Sequence, residues 1–213
     1  TGSLMVGSNK LVPLAVRSAI KMDFKRLIKE AFDVEPQFYF ICGGIEDGYA
    51  DFNHDIDVFV CLDDGLTKQE GERFLKGYIT IHEKHGLVPD LGFPGELIEK
   101  STLLEMLDEI ENWEFSLVVE EPETYVSIVF VDMIGSGPSV PLGGYDDSLY
   151  REIRERCRRL LRLWRQKILS SLKKDELQEW KGTDTTLMME RFMSYPSYKG
   201  VSWANKLSIR DND

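Results

Sequence analysis

Two aspartates one residue apart, Asp55-Ile56-Asp57, stand directly before the apolar run Val58-Phe59-Val60-Cys61-Leu62. The run has the length and the β-branched and aromatic content of a strand. Side chains alternate between the two faces of a strand, so Asp55 and Asp57 share one face and Ile56 takes the other. Carboxylates so placed repel unless a proton or a cation neutralises them. Hard divalent cations such as Mg2+ suit oxygen pairs of this kind. Upstream, Phe38-Tyr39-Phe40-Ile41-Cys42 reads as another strand and runs into Gly43-Gly44, with a third glycine at Gly48. Backbone amides at such a turn can approach phosphate oxygens, because no side chain intervenes. The stretch 38–64 therefore predicts a metal-assisted phosphate site.

Two-metal phosphoryl chemistry uses a third carboxylate from a neighbouring strand. Two residues could supply it. Asp90 lies in a predicted strand over 87–93, reached from the Asp57 strand by one helical crossover, which favours parallel, adjacent strands. Asp132 ends the apolar run Val126-Ser127-Ile128-Val129-Phe130-Val131. If that run pairs antiparallel with the Asp57 strand, its end meets the other's beginning. Asp90 is favoured by its shorter connection, and Asp132 stays open.

Several elements must position these acids. Residues 14–32 carry Val16, Ile20, Phe24, Leu27, Ile28 and Ala31 at helical steps, and Pro36 stops the helix. A second helix spans 67–85, with Gly86 in the usual place after a helix. A third spans 102–111. Residues 115–119 and 125–133 read as a hairpin about Glu121-Pro122-Glu123, and 135–144 as a Gly/Pro/Ser loop. The longest helix runs from 146 to about 180, with Asp146 and Asp147 at the end where carboxylates suit the helix dipole. This order predicts an α/β (α+β) fold: a mixed sheet flanked by helices, with a long C-terminal helix. The expected division is a core over 1–145 and a helical extension over 146–213, which could pack as one domain with the core.

Composition bounds the partners. Net charge is −11, which argues against nucleic-acid binding by the surface as a whole. The odd set Cys42, Cys61 and Cys157 has no CxxC spacing, so a reduced, cytoplasmic setting without disulfide-linked partners is expected. No apolar run is long enough to span a bilayer and no signal-peptide pattern opens the chain, so no membrane partner is expected.

One basic feature stands against this balance. Arg151, Arg154, Arg158, Arg162 and Arg165 fall at steps of three and four on the long helix and share one narrow face. The functional reading is phosphate contact, for which Arg158 and Arg162 are the candidates. The plain reading is a solvated face paired with acids such as Glu109, Glu111 and Glu114. Of the histidines, His54 reads as a turn residue and His82 and His85 as structural. Asp63 and Asp64 read as a solvated strand end. Tyr195, Tyr198 and Trp203 read as packing of the tail against the core.

Taken together, Gly43-Gly44, Gly48 and Asp55-Ile56-Asp57 resemble the motif of the nucleotidyltransferase superfamily that includes DNA polymerase β, poly(A) polymerases and antibiotic nucleotidyltransferases. That pattern is a glycine-serine pair, a further glycine, and then Asp-x-Asp opening a strand. Tyr49 to His54 provide a gap typical of the family, and Gly44 occupies the serine place. The resemblance implies a mixed sheet flanked by helices, a two-ion Mg2+ site on Asp55, Asp57 and either Asp90 or Asp132, and phosphates held at Gly43, Gly44 and Gly48. It implies transfer of a nucleoside monophosphate from a nucleoside triphosphate (NTP) to an RNA, protein or small-molecule acceptor. Gly44 in the serine place leaves a second class open: a non-catalytic, nucleotide-binding or regulatory protein, such as a toxin–antitoxin component.

Overall fold

The computed structural model describes residues 10–92, 94–115 and 122–171. These fall into two compact units, each built around its own elements. The first contains the described residues up to Lys100 together with Pro138–Asp147, and the second contains Ser101–Gly137 and the described residues from Ser148 onward.

The first unit opens with α1, Leu14–Ala31, which buries Ile20, Phe24, Leu27, Ile28 and Ala31 along one stripe. Strand β1, Phe38–Cys42, is buried at every position. It runs into a short helical turn, α2, Gly43–Asp47, which Gly48 closes at φ 85°. Strand β2, Asp57–Leu62, lies antiparallel to β1, with Phe40 opposite Phe59 and Cys42 opposite Asp57. Helix α3, Lys68–His85, starts on a capping box between Thr67 and Glu70 and ends on Gly86 at φ 69°; such a box satisfies two backbone donors that the helix cannot. Glu70 also accepts the Asp33 N–H at 3.0 Å, which ties the exit of α1 to the start of α3. Strand β3, Glu96–Glu99, lies parallel to β2, with Phe59 opposite Glu96. The sheet order is β1-β2-β3.

Alternation divides the sheet into two faces. Tyr39, Ile41, Ile56, Val58, Val60 and Leu62 join Ile20, Phe24, Phe74 and Tyr78 in one apolar cluster, which places α1 and α3 on that side. Burying each such large side chain fully contributes about 1.5–3 kcal/mol. The opposite face carries Phe38, Phe40 and Phe59, all fully buried and mutually stacked, the closest pair being Phe40 and Phe59 at 5.3 Å. Segment 142–146 covers the outer edge of β1: Tyr39 exchanges backbone hydrogen bonds with Gly143 and Leu142, and Asp146 N–H donates to Gln37 O at 2.9 Å. Covering an edge removes a template for unwanted strand pairing. Asp63 is not simply solvated at the strand end: it accepts from Gln37 and, at 2.9 Å, from the Tyr145 hydroxyl, and so holds this segment down.

In the second unit, α4 is Lys100–Glu111, α5 is Pro122–Ser136 and α6 is Asp147–Ser171. α4 buries Leu103, Leu107 and Ile110, while α6 buries Tyr150, Ile153, Cys157, Leu160, Leu161 and Trp164. Trp113 meets Trp164 edge-on at 5.8 Å. Arg156 of α6 binds Asp108 at 2.7 Å and Glu111 at 2.8 Å, which clamps α6 to α4. A Cβ on Gly135 would overlap Leu161, so α5 and α6 touch closely there.

The structure corrects two expectations. Residues 87–90 are not a strand; the strand is Glu96–Glu99, after Gly95 rather than before Pro94. Leu87 is instead drawn back to the helix end by its N–H to His82 O at 2.9 Å. Gly95, at φ 83°, turns the chain against Val58 and Phe74, where a Cβ would find their side chains at 2.9–3.2 Å. The second correction is α5: residues 125–133 are helical, not the second arm of a hairpin. A short run that is apolar all round has no period that separates strand from helix. Pro122 opens this helix, a position that proline favours, and Ile128, Val131 and Ile134 are buried on one side. The helix expected to reach about 180 is described to Ser171, and Tyr195, Tyr198 and Trp203 lie outside the described residues. The three cysteines are free and buried. Among the described residues no helix is long and apolar enough to cross a membrane.

Candidate functional site

The first unit brings the glycine turn and the acids together. Because Cys42 pairs with Asp57, the chain leaving β1 turns directly over the start of β2. Gly43 makes that turn at φ 66°, and a Cβ there would overlap the Asp57 carboxylate. Only glycine satisfies both conditions without strain. Gly44 is buried against Ala50, whose Cβ lies 2.8 Å from where a Gly44 side chain would begin. Gly48 is the left-handed cap of α2, and its N–H is taken by Gly44 O at 2.9 Å. Arg17 lies beside it and donates to Ile45 O and Glu46 O at 3.4 Å each.

The predicted alternation holds across the acid pair. Ile56 is fully buried in the α1/α3 core, while Asp55 and Asp57 are half-buried. Burial pushes the Asp55 carboxyl up, and the Asp90 carboxylate pushes it further; a backbone hydrogen bond, His82 and His54 oppose this.

A third acid reaches the same place from an unexpected residue. Glu96 opens β3 opposite Phe59, and paired residues share a sheet face, so Glu96 lies on the Asp57 face one step along the strand. Burial, and then the carboxylates of Asp57, Asp55 and Asp90, push Glu96 up to about 8. Such a group holds its proton at neutral pH until positive charge arrives. The sequence did carry a sign of it. Glu96 follows the Pro94-Gly95 turn and stands directly before the apolar pair Leu97-Ile98, as Asp57 stands before the apolar run of β2.

Asp90 also stands within electrostatic reach of Asp55 and Glu96, but from an exposed loop rather than a strand. Its Oδ1 accepts the Gly92 N–H at 2.8 Å. Asp132 lies on α5, so the antiparallel strand that was to carry it to the pair does not form. Arg158 and Arg162 lie on α6 in the other unit, where Arg162 pairs with Glu155 at 2.7 Å. His54 binds Asp51 at 2.8 Å within its own turn. His85 binds the buried Asp23 at 2.7 Å beside Lys84.

His82, though structural in kind, touches the site directly. It is fully buried on α3, and its Nε2 accepts the Ile56 N–H at 3.0 Å. One turn earlier on the same helix, the Tyr78 hydroxyl is buried beside Asp55, Asp57 and Asp90; burial and these charges push it up, so it remains a phenol.

Among the described residues, no three His, Cys, Asp or Glu side chains form a ready metal cage. The acids of the site shift one another without being gathered as ligands. The donor set itself fits a hard cation: carboxylate oxygens, partly desolvated, with Asp55 and Glu96 both held above their ordinary range by burial and, after it, by like charge.

No family model, curated protein or solved structure matches the chain.

Proposed function

We propose that the chain is a metal-dependent nucleotidyltransferase, which moves a nucleoside monophosphate from an NTP to an acceptor. The observation that carries this reading is the contact between the Gly43 turn and the Asp57 carboxylate, with Glu96 on the neighbouring strand. A turn without side chains, suited to phosphate, there lies against acids suited to a cation. Asp55, Asp57 and Glu96 would hold Mg2+, with Asp90 at the margin. A bound Mg2+ would lower the pKa of an attacking hydroxyl and offset triphosphate charge. The amides of Gly43 and Gly44 open α2, where the first N–H groups have no partner within the helix, and they can donate to phosphate oxygens. In the transfer, the acceptor oxygen bonds to the α-phosphorus and pyrophosphate leaves.

The test is Mg2+-dependent stabilisation by NTPs together with pyrophosphate release. The parent should require NTP and Mg2+ together, and saturating ligand should stabilise it by about 3 kcal/mol at one hundred times Kd. Asp55→Asn/Asp57→Asn should abolish both signals. A double variant that binds and releases pyrophosphate as the parent does would place the site elsewhere.

A second reading, nucleotide binding without transfer, rests on Gly44. Ala50 leaves no room there for the serine of the family motif, so phosphate would be held by backbone alone. That reading predicts Mg2+-dependent NTP binding with no pyrophosphate.

A further inference from the structure

Tyr78 and His82 lie one turn apart on α3, both fully buried, with ring centroids 4.2 Å apart. Both ring nitrogens of His82 are engaged. Nδ1 lies 2.8 Å from Tyr78 O, which can only accept, so Nδ1 carries the proton. Nε2 faces the Ile56 N–H, which can only donate, so Nε2 presents its lone pair. The imidazole is therefore neutral and in one tautomer. The N–H it holds belongs to the peptide plane joining Asp55 to Ile56, and peptide planes are rigid. That plane sits between the two acids. With the Ile56 side chain sunk in the core, its anchoring fixes the direction in which Asp55 and Asp57 leave the backbone.

Tyr78 adds a donor. The Asp90 backbone N–H approaches its oxygen, but among the described residues no acceptor stands in hydrogen-bonding geometry to its own proton. A buried hydroxyl in that state carries an uncompensated desolvation cost. Asp55 heads the carboxylates whose charge acts on it.

We propose that Tyr78 and His82 are positioning residues for the acid site: His82 fixes the Asp55–Ile56 peptide, and the Tyr78 hydroxyl donates to the Asp55 carboxylate when a cation draws the acids together. Hydrogen bonds of this kind orient a ligating carboxylate and raise metal affinity. The inference deepens the proposed function and rests on its Mg2+ site.

The experiment measures Mg2+ affinity by calorimetry on the full chain, beside metal-free melting, for the parent, Tyr78→Phe, His82→Gln and His82→Leu. Nitrogen NMR of His82 and exchange of the Ile56 amide are followed in the same samples. Tyr78→Phe should weaken Mg2+ about tenfold or more while leaving metal-free melting unchanged or higher, a split that a merely structural role does not produce. His82→Leu should lose Ile56 amide protection and Mg2+ affinity together. His82→Gln, which keeps an acceptor, should retain part of both. A parent that binds no Mg2+ overturns the proposed function. A parent that binds, with Tyr78→Phe binding equally well, overturns the role of Tyr78. A parent whose Ile56 amide exchanges freely, or whose His82 carries its proton on Nε2, overturns that of His82, whatever the metal does.

Discussion

The Asp57 carboxylate fills the space that a side chain on Gly43 would take. The two residues lie at adjoining ends of an antiparallel pair, Cys42 opposite Asp57, so the turn that leaves one strand closes over the acid that opens the other. The glycine turn and the acid are thus one local structure, held by ladder hydrogen bonds rather than by a flexible loop.

Gly43→Ala should be costly for both stability and binding. The backbone there is left-handed at φ 66°, which costs a non-glycine residue roughly 1–2 kcal/mol. The added Cβ must also displace Asp57. Urea unfolding should show a loss of about 2 kcal/mol or more, and Mg2+-dependent NTP stabilisation should vanish even where the variant is folded.

Gly44→Ser introduces the serine of the nucleotidyltransferase motif and should not raise activity. A Cβ there meets Ala50 Cβ at 2.8 Å and Ala50 backbone atoms at 3.2 Å. Overpacking of this kind costs about 1–3 kcal/mol. The expected result is a lower melting temperature with no gain in pyrophosphate release; a stable and faster variant would contradict the packing seen around α2.

Glu96 should make the metal-free protein less stable as pH rises. Its ordinary value is 4.5 and the folded chain holds it at about 8. Below about pH 4.5 both folded and unfolded chains carry the proton, and the stability it contributes is fully present. Between there and about pH 8 the folded chain binds more protons than the unfolded one, so stability falls as pH rises, by an amount on the order of a few kcal/mol. Unfolding curves at pH 5, 7 and 9 should show the slope, and Glu96→Gln should flatten it. Saturating Mg2+ should flatten it as well, because a cation replaces the proton. An unchanged slope in Glu96→Gln would assign it to other groups.

Arg156→Ala should weaken the second unit. Its side chain is 16% exposed, and its guanidinium binds two acids of α4 at 2.7 and 2.8 Å. Both partners keep solvent contact once freed, so the loss should be about 1–2 kcal/mol, read as a fall in melting temperature. Arg156→Lys should recover only part of it, since an ammonium cannot engage two carboxylates in the fork geometry.

Much of the first unit was legible in the sequence because its signals are local. The α1 stripe, the apolar runs of β1 and β2, the second helix with Gly86 after it, and the outward pair Asp55/Asp57 about Ile56 all follow from period, helix termination and alternation. The glycine turn was legible for the same reason. Gly43, in the left-handed region against Asp57, is a position where no other residue type fits well.

What the tertiary structure alone decided was which residues meet. Asp90 sits in a segment with the spacing of a strand, yet Leu87 is drawn back to the end of α3, and the sheet hydrogen bonds begin at Glu96. The apolar run before Asp132 suits strand and helix equally, and its helical folding is settled by packing within the second unit. Tyr78 and His82 are both buried on α3, and the sequence marks His82 only as structural. Only the fold shows that their polar atoms reach the acid segment, because Ile56 lies 26 residues from His82 along the chain and 3.0 Å from it in space. Local periodicity carries the elements and the Asp55/Asp57 pair; the register of β2 with β3 and the docking of α3 carry the third acid and the groups that orient the pair, and neither is written in any short stretch of sequence.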